Sequence, residues 1–80
     1  MAIAQEECAE VIQAISKIFR FGFESSHNGV TNQEHLEVEL GDLQCMIDLM
    51  TETGLADHQR ILEAAEAKRE KLKVWSNIFK

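Results

Sequence analysis

Two stretches of this chain have helical periodicity, and each places carboxylates on the face that a helix must bury. A helix turns by about 100° per residue, so every side chain can be assigned a direction. Over residues 2–20 the apolar positions Ile3, Ala4, Cys8, Val11, Ile15, Ile18 and Phe19 form an arc centred near Val11 and Ile15. Glu7 falls inside that arc, between Ala14 and Ile18. Glu10 falls at its edge, and Glu6 lies further toward the polar side. Over residues 32–53 a wide arc runs from Cys45 through Leu49, Met46, Met50 and Leu43 to Ile47 and Leu40. Glu39 and Asp42 sit within it. Ionised carboxylates on an apolar seam cost several kcal/mol each unless they are paired or bind a metal.

The spacing sharpens the point. Glu7 and Glu10 are three residues apart, as are Glu39 and Asp42, so each pair lies on one side of one turn. Packed together, the two helices would bring four oxygen ligands to one place. An all-carboxylate set suits a hard cation such as Mg2+ or Mn2+. Zinc would call for His or Cys at short spacing, and none is arranged that way. Two other acidic pairs of the same spacing serve as internal controls. Glu34/Glu37 and Glu63/Glu66 fall on polar faces, where solvation alone accounts for them.

Composition narrows the alternatives. The chain has 80 residues, and eight Lys/Arg against fourteen Asp/Glu give a net charge of −6. That acidity argues against a nucleic-acid partner, which leaves a basic footprint. No apolar run approaches the roughly 18 residues of a membrane span. Only Cys8 and Cys45 are present, so no disulfide framework is expected, and the setting expected is a reducing cytoplasm. Both cysteines lie on apolar arcs and are expected to be buried. One domain over residues 1–80 is the ceiling at this length, and a core this small needs a metal or a partner chain.

Proline is absent and glycine occurs four times, which points to helices. The first helix is expected over 2–20. Phe21 to Asn32 breaks the pattern with Gly22, Ser25, Ser26, Asn28 and Gly29, and reads as a loop. Thr31 and Glu34 form a capping box that opens a second helix, running to Thr53 with Gly54 at its C′ position. Asp57 is a suitable N-cap for a third helix reaching about Ile78.

Glu6-Glu7-Cys8-Ala9-Glu10 reads as EExxE and Glu39-Leu40-Gly41-Asp42 as ExxD, with 28 residues between Glu10 and Glu39. This pair of motifs resembles the MazG-like, all-α nucleoside triphosphate pyrophosphohydrolases, from about residue 3 to the end. The resemblance implies Mg2+-dependent cleavage of a (d)NTP to a (d)NMP and pyrophosphate, with Mn2+ as a substitute. It implies Glu7, Glu10, Glu39 and Asp42 as metal ligands and Glu6 as a group that orients water. The family often ends on a basic cluster, here Lys68, Arg69, Lys71 and Lys73. Relatives usually carry a helix before EExxE that helps shape the base pocket. This chain begins five residues before Glu6, so a minimal pocket, or one completed by a neighbouring subunit, is expected.

Other residues are read on their own chemistry. Lys17 shares a helix side with Glu10, and Lys68 interrupts the apolar stripe Ile61–Ala65–Leu72–Trp75. Both are candidate phosphate contacts, as is Lys71 through the family likeness. Arg20, near Lys17, is a weaker candidate. Phe21 and Phe23 are expected to close the core or a subunit interface, and Trp75 to pack in one. Glu24-x-x-His27 resembles a metal-ligand string but lies in the loop, and Asn28 and Asn77 have little to recommend them as base contacts. The expected architecture is all-α: a helical hairpin plus a third helix, its four-helix core completed by oligomerisation as a homodimer or homotetramer. The alternative is a non-catalytic helical interaction or regulatory module whose carboxylates hold a structural metal.

Overall fold

The computed structural model describes residues 1–75. It contains α1 (Ala2–Phe21), β1 (Ser26–His27), β2 (Val30–Thr31), α2 (Asn32–Glu52) and α3 (His58–Trp75). The chain divides into two units, Met1–Leu49 and Met50–Lys80. The expectation that the third helix reaches Ile78, and the readings of the Trp75 side chain and of Asn77, lie outside the described residues.

The helix boundaries follow local chemistry. Thr31 closes the capping box: the Glu34 N–H donates to Thr31 Oγ1 at 3.1 Å, and the Thr31 N–H donates to Glu34 Oε1 at 3.0 Å. The Thr31 hydroxyl donates to the same carboxylate oxygen. These bonds, the backbone one first, hold the Glu34 carboxyl below the ordinary glutamate value. Two more donors of the first turn are satisfied by the preceding loop. The Asn32 N–H donates to Ser25 O at 2.9 Å and the Gln33 N–H to Phe23 O at 3.0 Å. In the second unit, the Arg60 N–H donates to Asp57 Oδ2 at 2.9 Å, the N-cap expected for α3. Gly54, at φ 82°, turns the chain between α2 and α3, where a side chain would be strained.

The stretch between α1 and α2 is more ordered than a loop. Ser26 pairs with Thr31 and His27 with Val30 in an antiparallel register. Asn28 and Gly29 form the connection, both with positive φ (57° and 81°). This is the backbone that a two-residue hairpin needs, and Asn-Gly is the dipeptide that supplies it most readily. The all-α expectation holds in outline, three helices making up most of the described residues, with this two-residue hairpin added. The Asn32 Nδ2 donates to Gly22 O at 2.9 Å, tying the end of α1 to the start of α2.

Within Met1–Leu49, α1 and α2 run antiparallel. Their joined ends are linked through Gly22 and Asn32. Glu7 on α1 meets Glu39 and Asp42 on α2.

The covered face of α1 consists of Ala14, Glu7, Ile18, Val11 and Ala4, consecutive on the helical wheel. Ala14 is only 1% exposed. This face is rotated from the expected arc toward Glu7, so the carboxylate sits within the most covered strip. The far flank stays open: Ile15, Cys8, Phe19 and Ile12 are exposed, Phe19 at 86%. On α2 the covered side is His35, Met46, Glu39, Asn32, Leu43, Leu36 and Ile47, while Val38, Cys45 and Leu49 are exposed. The expectation of buried thiols is therefore corrected for both cysteines. They lie on the flanks that the helix pair leaves uncovered. Phe21 and Phe23 are also exposed rather than closing a core of this chain.

Gly41 is an exposed helix-interior glycine, and a Cβ built there meets nothing within 4 Å. Gly41→Ala is expected to stabilise the fold by about 1 kcal/mol through helix propensity, read as a shift in urea midpoint. Thr31→Ala is expected to cost about 1 kcal/mol by removing the cap, and the same titration checks it.

Candidate metal centre

Glu7, Glu39 and Asp42 each place a carboxylate oxygen within 4.8 Å of the other two. Glu7 comes from α1, and the other two from one turn of α2. Glu7 and Glu39 are half-buried, and Asp42 is at the exposed edge. The inward rotation of both helices therefore converges on carboxylates, as their placement on the apolar arcs predicts.

The electrostatics are unfavourable without a counter-charge. The Glu7 carboxyl is raised above the ordinary glutamate value, first by burial, then by the charges of Asp42, Glu39, Glu10 and Glu6. Glu10 and Glu6 thus act on the centre through their charge, but both side chains are exposed and lie outside the three-oxygen group. Three carboxylate oxygens, one held by burial and like charge in a state that favours neutralisation, fit a hard divalent cation. Oxygens sharing one Mg2+ at about 2.1 Å lie about 3.0 to 4.2 Å apart, so the three carboxylates would draw together on binding an ion.

His35 adds a partner that the carboxylate pattern did not include. Its Nε2 lies 3.2 Å from Glu39 Oε1, and the Glu39 side chain is only 12% exposed. The signal in the sequence is the i,i+4 spacing of His35 and Glu39, which puts both on one side of α2. Beyond His35, an open cleft of about 290 Å³ is lined by Lys17, His27, Asn28, Val30, Asn32 and His35. A neighbouring cleft of about 340 Å³ shares Lys17, His27 and Asn32 and extends to Phe21. Lys17 therefore faces the hairpin clefts. Arg20 instead places its guanidinium 5.3 Å from the centroid of the Phe21 ring.

The remaining candidates are on α3, in the second unit, where Lys68 and Lys71 are exposed. Lys73 pairs with Glu70 at 3.0 Å. The control pairs behave as solvated residues: Glu34, Glu37, Glu63 and Glu66 are all exposed. No helix among the described residues is long and apolar enough to cross a membrane. No family model, curated protein or solved structure matches the chain.

Because the folded-state pKa of Glu7 is raised, the folded chain holds its proton more tightly than the unfolded chain. The stability linked to that proton is present below the ordinary glutamate pKa and is lost as pH rises through the folded value. Glu7→Gln removes the titration. In the absence of divalent metal, the variant is expected to gain on the parent at pH 7 and to lose that advantage near pH 4, measured by paired thermal melts. Saturating Mn2+ is expected to raise the melting temperature of the parent. At a hundred times its Kd the gain is about 2.7 kcal/mol. Glu39→Gln should respond little.

Proposed function

We propose that the protein is a divalent-metal-dependent nucleoside triphosphate pyrophosphohydrolase that cleaves a (d)NTP to a (d)NMP and pyrophosphate. The observation that carries this reading is the convergence of Glu7 with Glu39 and Asp42 across two antiparallel helices. The EExxE and ExxD motifs add the likeness to the MazG-like family.

Glu7, Glu39 and Asp42 would hold Mg2+ or Mn2+, with Glu10 one turn further along α1 as a fourth carboxylate. The ion supplies charge neutralisation at the phosphates and lowers the pKa of a bound water. The chain's own residues do the rest. Glu6, on the exposed side of α1, orients water beside the centre. Lys17, which lines the clefts below the hairpin, donates a hydrogen bond from its ammonium toward the phosphates at the carboxylate end. Lys68 and Lys71, exposed on α3, remain phosphate-contact candidates through the family likeness alone. His35 holds the Glu39 carboxylate and limits its rotation.

The same reading includes self-association. In Met1–Leu49 the buried apolar residues are Ala4 and Ala14 alone among those described, while Ile12, Ile15, Phe19, Val38 and Leu49 are exposed. A second copy covering these flanks would complete a four-helix core, as a dimer or a pair of dimers.

A panel of ribo- and deoxyribonucleoside triphosphates with Mg2+, resolved by chromatography, tests the function. Monophosphate and pyrophosphate are expected in equal amounts from one or a few substrates. Glu39→Gln is expected to reduce turnover to the metal-free background while keeping its helical circular dichroism. Full activity in that variant would remove Glu39 from the site. No turnover of any triphosphate, with Mn2+ still raising the melting temperature, would favour a structural metal centre in an interaction module.

A further inference from the structure

The two clefts beneath the hairpin share Lys17, His27 and Asn32, so they form one groove. One end is bounded by His35, which touches Glu39 of the carboxylate centre. The other end is bounded by Phe21. We propose that this groove is a nucleoside site, with the sugar held beside Asn32 and His35 and the base seated between the hairpin and Phe21. The proposal rests on the pyrophosphohydrolase reading for what lies at the carboxylate end.

Three observations carry it. The first is chemical. The groove is lined by no carboxylate and by one cation, Lys17; its other polar side chains at the His35 end are asparagine and histidine. These groups both donate and accept hydrogen bonds. Phosphate oxygens chiefly accept, whereas sugar hydroxyls and base edges present donors as well. Phe21, 60% exposed at the far end, offers an aromatic face of the kind on which bases stack.

The second observation is the availability of these groups. Among the described residues, the side chains of Lys17, His27 and Asn28 make no hydrogen bond or ion pair. The hairpin already holds His27 and Asn28 at the groove through the Ser26–Thr31 and His27–Val30 pairs and the positive φ of Asn28 and Gly29. Such preorganisation reduces the ordering cost of binding.

The third observation is reach. Asn32 precedes Glu39 by seven residues on α2, about 11 Å along the axis. A ligand bound at both places must therefore be elongated, with a metal-seeking anionic end and a neutral hydrogen-bonding end. A nucleotide has that form.

The test uses the 80-residue chain. Deoxyribonucleoside monophosphates and inorganic pyrophosphate are titrated separately in EDTA, following the His27 and His35 ring signals and the Asn28 and Asn32 side-chain amides by NMR. Asn28→Gly keeps the left-handed backbone, and Phe21→Leu keeps apolar bulk. Monophosphates are expected to shift these signals with a preference for one base, and pyrophosphate is expected not to move His27 or Asn28. Both variants are expected to weaken monophosphate binding and raise the triphosphate KM by about tenfold or more, with kcat changing less. Their Mn2+ affinity, read by electron paramagnetic resonance, should stay at the parental value. Hydrolysis with parental KM in both variants would overturn the nucleoside site and leave the pyrophosphohydrolase reading standing. Monophosphate binding in the groove without hydrolysis of any triphosphate would do the reverse. Pyrophosphate producing the same shifts as the monophosphates would make the groove a phosphate site and overturn the proposal.

Discussion

The crowding of Glu7 against Glu39 and Asp42 is the constraint around which Met1–Leu49 is arranged. Two helices that only had to bury apolar surface would meet along the middles of their arcs. Here α1 is rotated so that Glu7 lies between Ala14 and Ile18 on the covered strip. α2 likewise buries Glu39 among Met46, Leu43 and Leu36 on its covered side. Burial and like charge together raise the Glu7 carboxyl. A fold that maximised its own stability would have no reason to place an acid there. The arrangement becomes favourable when a cation offsets both terms, which links the helix orientation to the proposed chemistry.

The β-hairpin connects that centre to the groove lined by Lys17, His27 and Asn32, the proposed nucleoside site. It closes the α1–α2 turn, and its flanking carbonyls, Phe23 O and Ser25 O, satisfy the first donors of α2. The same ten or so residues therefore fix the position of the α2 N-terminus and supply side chains to the groove beside it. His35 lies between the carboxylates and the groove, its Nε2 3.2 Å from Glu39 Oε1 on one side and its ring lining the groove on the other. In the proposed reading, a ligand that orders the groove also acts on the carboxylate environment through His35.

Features governed by near neighbours were readable in the sequence. The Thr31–Glu34 box and the Asp57 cap depend on atoms within one turn, and both occur where residue type and spacing put them. The placement of Glu7 and Glu39 on covered faces, with Asp42 at the edge beside them, follows from helical geometry. What the periodicity did not contain was which flank of a wide arc would be covered. That choice depends on contacts between helices, and it left Cys8 and Cys45 exposed. The hairpin was missed for a different reason. Two-residue strands are too short to alternate, so the only local signal was Asn28-Gly29, which also reads as an ordinary loop breaker. His35 falls outside a pattern of acidic pairs at i,i+3, because its imidazole reaches Glu39 across i,i+4.

The uncovered flanks carry the last step. Isolated apolar residues on a surface are ordinary. Ile12, Ile15 and Phe19 are not isolated: with Cys8 they occupy neighbouring directions on one helix, next to the strip that is covered. A helix with two adjacent apolar sides and only one of them covered matches a bundle that is half built. The two sides of α1 then have distinct roles in the proposed assembly. The Glu7 side faces α2 and forms the carboxylate centre within one chain, and the Ile12–Phe19 side is left for a second copy. Association would restrict the rotation of α1, and with it the position of Glu7 opposite Glu39 and Asp42. Assembly and metal binding would therefore reinforce each other, because both favour the same rotation of one helix.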